Sequence, residues 1–202
     1  MRRDGIFDSD EWLVFGINNF WNAARDAHDA LRSDLWFELH QITPDENGPD
    51  YGTPIQDAND LAWLAKCPVP LYTTQPWAHV NPRAVPWPLT DMVDRCGGRR
   101  YITCTFAMEL MTALVMGVKE VAVYGLELHG GTQREIAVEA ACVAYWLGRL
   151  EGAGITVTLG ARPDGLTPWV LYHPYVYGFD YWLERRWVEA YLRTWDERPG
   201  AI

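Results

Sequence analysis

The stretch Tyr101-Ile-Thr-Cys-Thr-Phe-Ala-Met-Glu-Leu-Met-Thr-Ala-Leu-Val-Met-Gly-Val-Lys-Glu-Val-Ala-Val-Tyr-Gly-Leu-Glu-Leu-His129 predicts a polar turn, a buried helix and a short strand in close succession. The helix ends at Gly117, and the apolar strand Val121 to Tyr124 stops at Gly125. Glu127 and His129 follow this strand end. Open α/β sheets bind ligands just beyond the carboxyl ends of their strands, so the stretch predicts a ligand site there.

The polar turn Thr103-Cys104-Thr105 opens this predicted helix. Free backbone N–H groups and the helix dipole favour an anion at such a position, which indicates a nucleotide or a phosphate ester as the ligand. Glu109 is a carboxylate among apolar neighbours in the same helix. We expect it to be paired or to lie on the exposed edge; a raised pKa is the alternative.

Two further predicted strands end in polar residues. The apolar run Trp12 to Ile17 breaks into Asn18-Asn19. The aromatic run Leu35 to His40 presents Glu38 and His40 at its end. Side chains two residues apart on a strand point to the same face, so these two residues can form a carboxylate–imidazole pair that suits a site.

The rest of the chain alternates between predicted helices and strands. The helices are Phe20 to Leu31, Ile55 to Ala65, Leu89 to Arg95 and Thr132 to Glu151; the strands are Val69 to Thr74 and Ile155 to Leu159; Pro76 to Pro88 is predicted as an extended, aromatic-rich loop. The closely spaced order strand, helix, strand predicts right-handed crossovers and a parallel sheet.

These elements predict a single α/β domain over residues 1–202. The expected fold is Rossmann-like, with a mostly parallel sheet flanked by helices. A last, aromatic-rich helix is predicted from Tyr181 to Trp195, in a C-terminal extension over residues 178–197. Its aromatic side chains are expected to pack on the domain or to form a homo-oligomer with a second subunit.

Composition narrows the classes of function. The net charge is −10, with 27 acidic against 17 basic residues, which argues against broad binding to nucleic acid phosphates. The four cysteines are scattered without a Cys-x-x-Cys motif, so we expect no metal site and no disulfide framework. No apolar run is long enough to span a membrane, and the N-terminus lacks an apolar signal core. The expectation is a cytoplasmic protein with reduced thiols and no membrane partner.

Two segments resemble a known superfamily. Ile102 to His129 resembles the segment of bacterial α-2,3-sialyltransferases with the pattern I-T-S-G, helix, G-Y-K-E-I, strand, G-I-D, and Phe15 to Trp21 resembles the strand-end motif of these enzymes around an Asn followed by an aromatic. Small phage-encoded proteins of the superfamily are similar at W-F-E-L-H, here Trp36 to His40, and at G-x-G-I-x-V, here Gly152 to Val157. The 6-hydroxymethylpterin diphosphokinase-like proteins share the broad layout. A phage-encoded protein would act in the host cytoplasm.

The resemblance implies roles for individual residues. Asn18 would contact a nucleotide ribose or phosphate, and residues 103–105 would line the nucleotide pocket. His129 would contact the leaving phosphate, and Glu127 takes the acidic place of the G-I-D motif. The sequence departs from the family at three points. It starts after the usual opening strand and G-x-x-P-S-type phosphate loop, Thr105 replaces the Gly of the I-T-S-G turn, and no His matches the general base of the sialyltransferases.

The resulting hypothesis is a glycosyltransferase-like protein that uses a nucleotide sugar and no further cofactor. Its catalytic candidates are His129, His40 as the base, and Glu127; its substrate-binding candidates are Asn18, Asn19, Glu38, Thr103, Cys104, Thr105 and Gly125. Two alternatives stay open. One is a non-catalytic protein that binds or sequesters a nucleotide-like small molecule, and the other is a diphosphokinase-like phosphotransferase.

Overall fold

The computed structural model describes residues 6–18, 20–21, 32–40, 58–124, 126 and 132–160. After a short 3₁₀ turn at Ile6–Asp8, the described residues form β1 (Phe15–Ile17), β2 (Leu35–Glu38), α1 (Ala58–Leu64), β3 (Leu71–Thr73), β4 (Ala84–Pro86), α2 (Leu89–Arg95), α3 (Thr105–Met116), β5 (Glu120–Val123), α4 (Gln133–Gly152) and β6 (Thr156–Leu159). The predicted α/β class is therefore confirmed, with helices packed against parallel strands.

The first four strands form one parallel sheet in the order β1-β2-β3-β4. Its register pairs Ile17 with Phe37, and Phe37 with Tyr72. Neighbouring residues Trp36 and Phe37 of β2 are both buried although they point to opposite faces. The sheet is thus covered on both sides, as parallel sheets normally are.

The two faces of this sheet carry different apolar clusters. Trp36 packs with Leu64 of α1 and Trp77 on one face. Phe37 belongs to the larger cluster on the other face, where α3 and α4 contribute Met111 and Trp146. Burial of these large side chains is the main stabilising contribution to the fold.

The last two strands form a second parallel sheet, β5 paired with β6, and α4 connects them. Gly117 ends α3 in the left-handed conformation at φ 65°, which glycine adopts without strain. The chain then reverses, so β5 runs back toward the beginning of α3.

The structure corrects one predicted loop and trims several predicted strands. The prediction that Pro76 to Pro88 is only a loop is wrong for Ala84–Pro86, which pairs with β3 as the edge strand β4. Proline is tolerated there because it needs no ladder hydrogen bond on the outer edge. Pro70 lies just before β3 and so leaves this central strand intact.

Some of the predictions from the sequence concern residues outside the described ranges. Residues 20 and 21 are helical, whereas the remainder of the predicted helix up to Leu31 lies outside the described residues. The predicted C-terminal helix from Tyr181 to Trp195 also lies outside them. Within the described ranges, no helix is both long and apolar enough to cross a membrane.

Candidate functional site

The carboxyl ends of β1 and β2 bring Asn18 and Glu38 to the same edge of the sheet. Asn18 has a positive φ of 47°, a left-handed conformation that Asn adopts more readily than most residues. Its backbone N–H donates to the carbonyl of Phe37 at 3.1 Å, which fixes the corner after β1 on β2. The side-chain Oδ1 of Asn18 is shut off from solvent and has no hydrogen-bond partner among the described residues. The backbone of Asn18 is therefore fixed at this edge, and its side-chain oxygen is an acceptor that no described residue uses.

Glu38 and His40 form the predicted carboxylate–imidazole pair. His40 Nδ1 lies 2.9 Å from Oε1 of Glu38, and the backbone N–H of His40 donates to the same oxygen at 3.3 Å. Glu38 is 2% exposed, whereas the His40 side chain is about one third exposed. A carboxylate accepts the Nδ1 proton, so the neutral ring keeps Nε2 as its acceptor. The pair thus has the chemistry of an oriented general base.

Glu139 of α4 is a neighbour of this pair that the sequence did not single out. Burial raises the pKa of Glu139 and the nearby Glu135 raises it further, while His40 lowers it. His40 therefore lies within electrostatic range of α4. The sequence does carry a signal for Glu139, since it lies one helical turn after Glu135 on the same face of the helix.

The start of α3 is anchored on α4. The carbonyl of Tyr101 accepts hydrogen bonds from Trp146 Nε1 at 2.7 Å and from Cys142 Sγ at 3.2 Å. The hydroxyl of Thr103 donates to the carbonyl of Val138 at 3.5 Å. These contacts hold the 103–105 turn beside the first half of α4, where Glu139 is also found.

Cys104 is the N-cap residue of α3 and does not form a side-chain cap. Burial raises the pKa of Cys104 to about 12, and the backbone N–H groups of Ala107 and Phe106 offset only part of this. Glu139 is among the charges that act on the thiol, so the 103–105 turn, Glu139 and His40 share one neighbourhood. At neutral pH Cys104 stays a neutral thiol, which makes it a lining residue and not a nucleophile.

The start of α4 is closed by a capping box. Glu135 N–H donates to Oγ1 of Thr132 at 3.2 Å, and Thr132 N–H donates to Oε2 of Glu135 at 2.7 Å. The hydrogen bonds that Thr132 donates to Oε2 of Glu135, from its N–H and from its hydroxyl at 2.9 Å, lower the pKa of the Glu135 carboxyl. Glu135 therefore has a structural role, because it satisfies backbone donors at this end of the helix.

Glu109 departs from its prediction. We expected a paired or exposed carboxylate, but Oε1 of Glu109 is inaccessible and has no hydrogen-bond partner among the described residues. Burial raises its pKa to about 8. The expected pairing is not found for Oε1, and Glu109 instead lines a cavity beside β5, whose lining also includes Lys119.

The remaining site candidates lie outside the described residues, and their roles stay predictions: Asn19, Gly125, Glu127 and His129. Among the residues that the structure does describe, no group of three or more His, Cys, Asp or Glu side chains is arranged to hold a metal ion. All four cysteines are free thiols.

Comparison with known proteins assigns no family to the chain. No protein-family model matches the chain, and no curated protein or solved structure matches it.

Proposed function

We propose that the protein is a glycosyltransferase-like enzyme that transfers a sugar from a nucleotide-activated donor. The single observation that supports this best is the Glu38–His40 pair, with its 2.9 Å contact, at the carboxyl end of a parallel strand and near the start of α3. A base and an anion-binding helix start are the two parts that such a transfer requires. The proposal includes a Rossmann-like arrangement of the parallel strands and the helices that flank them.

The nucleotide phosphates belong at the start of α3. The first backbone N–H groups of a helix have no partners within the helix, and the helix dipole favours negative charge there. The hydroxyl of Thr105 adds a donor beside them. Asn18 would orient the nucleotide from the neighbouring strand end, where its backbone is fixed on β2.

His40 acts as the general base in this scheme. Its Nε2 takes the proton of the acceptor hydroxyl while that oxygen attacks the anomeric carbon of the donor sugar. The bond between this carbon and the phosphate oxygen breaks, and its electron pair leaves with the nucleotide. Glu38 keeps the Nδ1–H in place and stabilises the imidazolium that forms. Attack from the side opposite the leaving group inverts the configuration of the sugar.

The charge that develops on the departing phosphate is stabilised by the start of α3. His129, which the sequence predicts after β5, is the further candidate for this role; Glu127 stays a catalytic candidate at the acidic place of the G-I-D motif, and Gly125 and Asn19 are candidates for substrate binding. In this proposal, Cys104 lines the nucleotide pocket as a neutral thiol.

The base is tested by hydrolysis and transfer assays with CMP-, UDP- and GDP-linked sugars. His40→Ala is expected to lower kcat by roughly 10²- to 10⁴-fold, the usual contribution of a general base, with little change in the Kd of the donor. Glu38→Gln is expected to lower kcat as well, since it no longer orients the Nδ1 proton. His79→Ala is the matched control, because His79 is exposed and packs only its ring edge near Trp77.

The same assays separate the alternatives. Tight binding of a nucleotide that is recovered intact would replace the transferase by a non-catalytic binder. Release of ADP or AMP from ATP with an acceptor would replace it by a diphosphokinase-like enzyme. Equal kcat for wild type and His40→Ala would remove His40 from the mechanism.

A further inference from the structure

A cavity of about 750 Å³ is bordered by β1, β5 and α3. Its lining is mostly apolar and includes Phe15 and Ile17 of β1, Val121 and Val123 of β5, and Leu110 of α3. We call the space that these three elements enclose the inter-sheet cavity. Sites that enclose a drug-sized molecule have this size and are also lined mainly by apolar side chains.

The strand side chains that line the inter-sheet cavity are only partly buried. Phe15, Ile17, Val121 and Val123 keep part of their surface uncovered, whereas Phe37 of the interior strand β2 is 0% exposed. Parallel strands are normally covered on both faces, so uncovered apolar surface along two of them is unusual. An apolar molecule in the cavity would remove this surface from water, which is favourable.

One polar side chain of α3 interrupts the apolar lining. Glu109 lines the cavity, and its Oε1 is inaccessible and has no hydrogen-bond partner among the described residues. Because burial raises the pKa of this carboxyl to about 8, Glu109 keeps its proton at neutral pH. A protonated carboxyl is an O–H donor, so the cavity offers a hydrogen-bond donor within apolar surroundings.

The charged residues of the lining lie where the cavity meets solvent. Glu11, Lys119 and Glu120 line it too, and all three are exposed. Tyr124 is the other titratable residue among the described lining residues. A charged ligand beside Glu109 would lose its hydration and meet a neutral acid there, not a counter-charge. An uncharged ligand avoids this cost.

We propose that the inter-sheet cavity binds an uncharged, mainly apolar small molecule through a carbonyl oxygen that accepts a hydrogen bond from the Glu109 carboxyl. The apolar part of the ligand covers the side chains of β1 and β5, and the carbonyl supplies the acceptor that the buried O–H needs. Glu38, His40 and the 103–105 turn are not among the described lining residues, so the inference does not depend on the proposed transferase activity.

Benzophenone and diphenylmethane test the acceptor, since they have the same two rings and only benzophenone carries a carbonyl. Equilibrium dialysis gives the Kd of each compound for the full chain, and we expect both to bind the wild type. Glu109→Leu is expected to weaken benzophenone about tenfold relative to diphenylmethane, which corresponds to the loss of one hydrogen bond. Glu109→Gln keeps an N–H donor and should retain benzophenone binding within about threefold.

The pH dependence of benzophenone binding tests the same donor in the wild type. The protonated carboxyl donates a hydrogen bond and the carboxylate does not, so binding should weaken about tenfold between neutral pH and pH 9, above the pKa of Glu109. Binding to Glu109→Gln should stay constant over this range. This comparison separates Glu109 from Glu11, Lys119, Glu120 and Tyr124.

Two further measurements locate the ligand. Photolabelling by bound benzophenone, read by mass spectrometry, should mark peptides that contain β1, α3 or β5. Ala113 lines the cavity, so Ala113→Leu should fill it and weaken both compounds about tenfold or more. Ala141→Leu, at an exposed position of α4, should leave both Kd values unchanged.

Four results would overturn the proposal. If neither compound binds up to its solubility limit, the cavity is not a ligand site. If Glu109→Leu changes the two Kd values equally and the wild type shows no pH dependence, the cavity is an apolar site without carbonyl recognition. Tighter binding of the cationic analogue benzhydrylamine than of benzophenone at neutral pH would show a cation site. Labels confined to other segments would place the ligand elsewhere.

Discussion

Two buried carboxyls differ in a way that determines their chemistry. Glu38 has His40 at 2.9 Å, and its carboxylate orients an imidazole. Glu109 has no partner among the described residues, and burial raises its pKa to about 8. The same side chain therefore acts as an orienting group at the end of β2 and as a proton-holding group on α3.

The raised pKa of Glu109 predicts a pH-dependent stability. The folded protein keeps this proton up to about pH 8, while the unfolded chain releases it near the usual pKa of 4.5. The unfolded state is therefore favoured increasingly as pH rises between these values, and stability falls. Glu109→Gln removes this loss. The difference in free energy of unfolding between Glu109→Gln and the wild type should therefore grow in favour of the variant by on the order of 4 kcal/mol from pH 4.5 to pH 8.

Urea unfolding at a series of pH values measures this difference. Glu151→Gln, at an exposed position of α4, is the control and should follow the wild-type pH dependence. Parallel curves for wild type and Glu109→Gln would mean that Glu109 is ionised in the folded protein.

Residue-level sequence reasoning succeeded where a local rule determines the geometry. The i, i+2 spacing predicted the contact between Glu38 and His40, although β2 ends at Glu38 and His40 lies in the bend that follows it. The lack of a partner for Glu109 Oε1 among the described residues could not be predicted in this way, because it depends on how α3 packs beside β5. Glu139 was missed for a similar reason, since only the packing of α4 brings it near His40.

The helices were predicted closely because their ends carry local signals. Gly117 ends α3, and Thr132 with Glu135 begins α4. Strand pairing has no such local signal. The short strand β4 was hidden in a proline-rich segment, and the separation of β5 and β6 from the other strands follows from contacts distant in sequence.

The close packing of β1 on β2 predicts a cost for enlarging Gly16. A methyl group on Gly16 would overlap the six-membered ring of Trp36, which is buried and lies 4.0 Å from the Trp63 ring, centroid to centroid. Gly16→Ala should therefore destabilise the protein by about 2–3 kcal/mol, as overpacking of a rigid core does. Gly148→Ala in α4 meets no neighbouring atom and should stabilise by about 0.5–1 kcal/mol. Chemical denaturation compares the two; destabilisation of both variants alike would argue against the Gly16–Trp36 contact.

The capping box predicts a cost at the start of α4. Thr132→Ala removes the acceptor of the Glu135 N–H and should lower the free energy of unfolding by about 1 kcal/mol. Thr132→Ser keeps the hydroxyl and should retain most of the stability. Equal midpoints for the Ala and Ser variants in a urea titration would show that the hydroxyl does not cap this helix.

At the scale of the whole molecule, the central feature is the edge of the sheet at which the carboxyl ends of the strands lie; we call this edge the carboxyl-end rim. The carboxyl ends of β1 and β2 and the start of α3 lie at one edge of the sheet, linked by the contacts of Asn18 with Phe37 and by the electrostatic neighbourhood of Glu139. The sequence predicted the α/β class and the parallel strands, whose carboxyl ends lie at a common edge. The overall charge of −10 means that an anionic ligand must be held there by local donors and not by a basic surface.

Calorimetric titration with CMP, UDP and GDP tests this rim most directly. The account predicts that at least one of these nucleotides binds with a Kd in the millimolar range or tighter, and that Asn18→Ala weakens it about tenfold or more, the loss of one or two well-placed hydrogen bonds. Lys66→Ala, in the exposed turn that leads to the amino end of β3, should leave the Kd unchanged. If no nucleotide binds at millimolar concentration, or if Asn18→Ala binds as the wild type does, the carboxyl-end rim is not a nucleotide site.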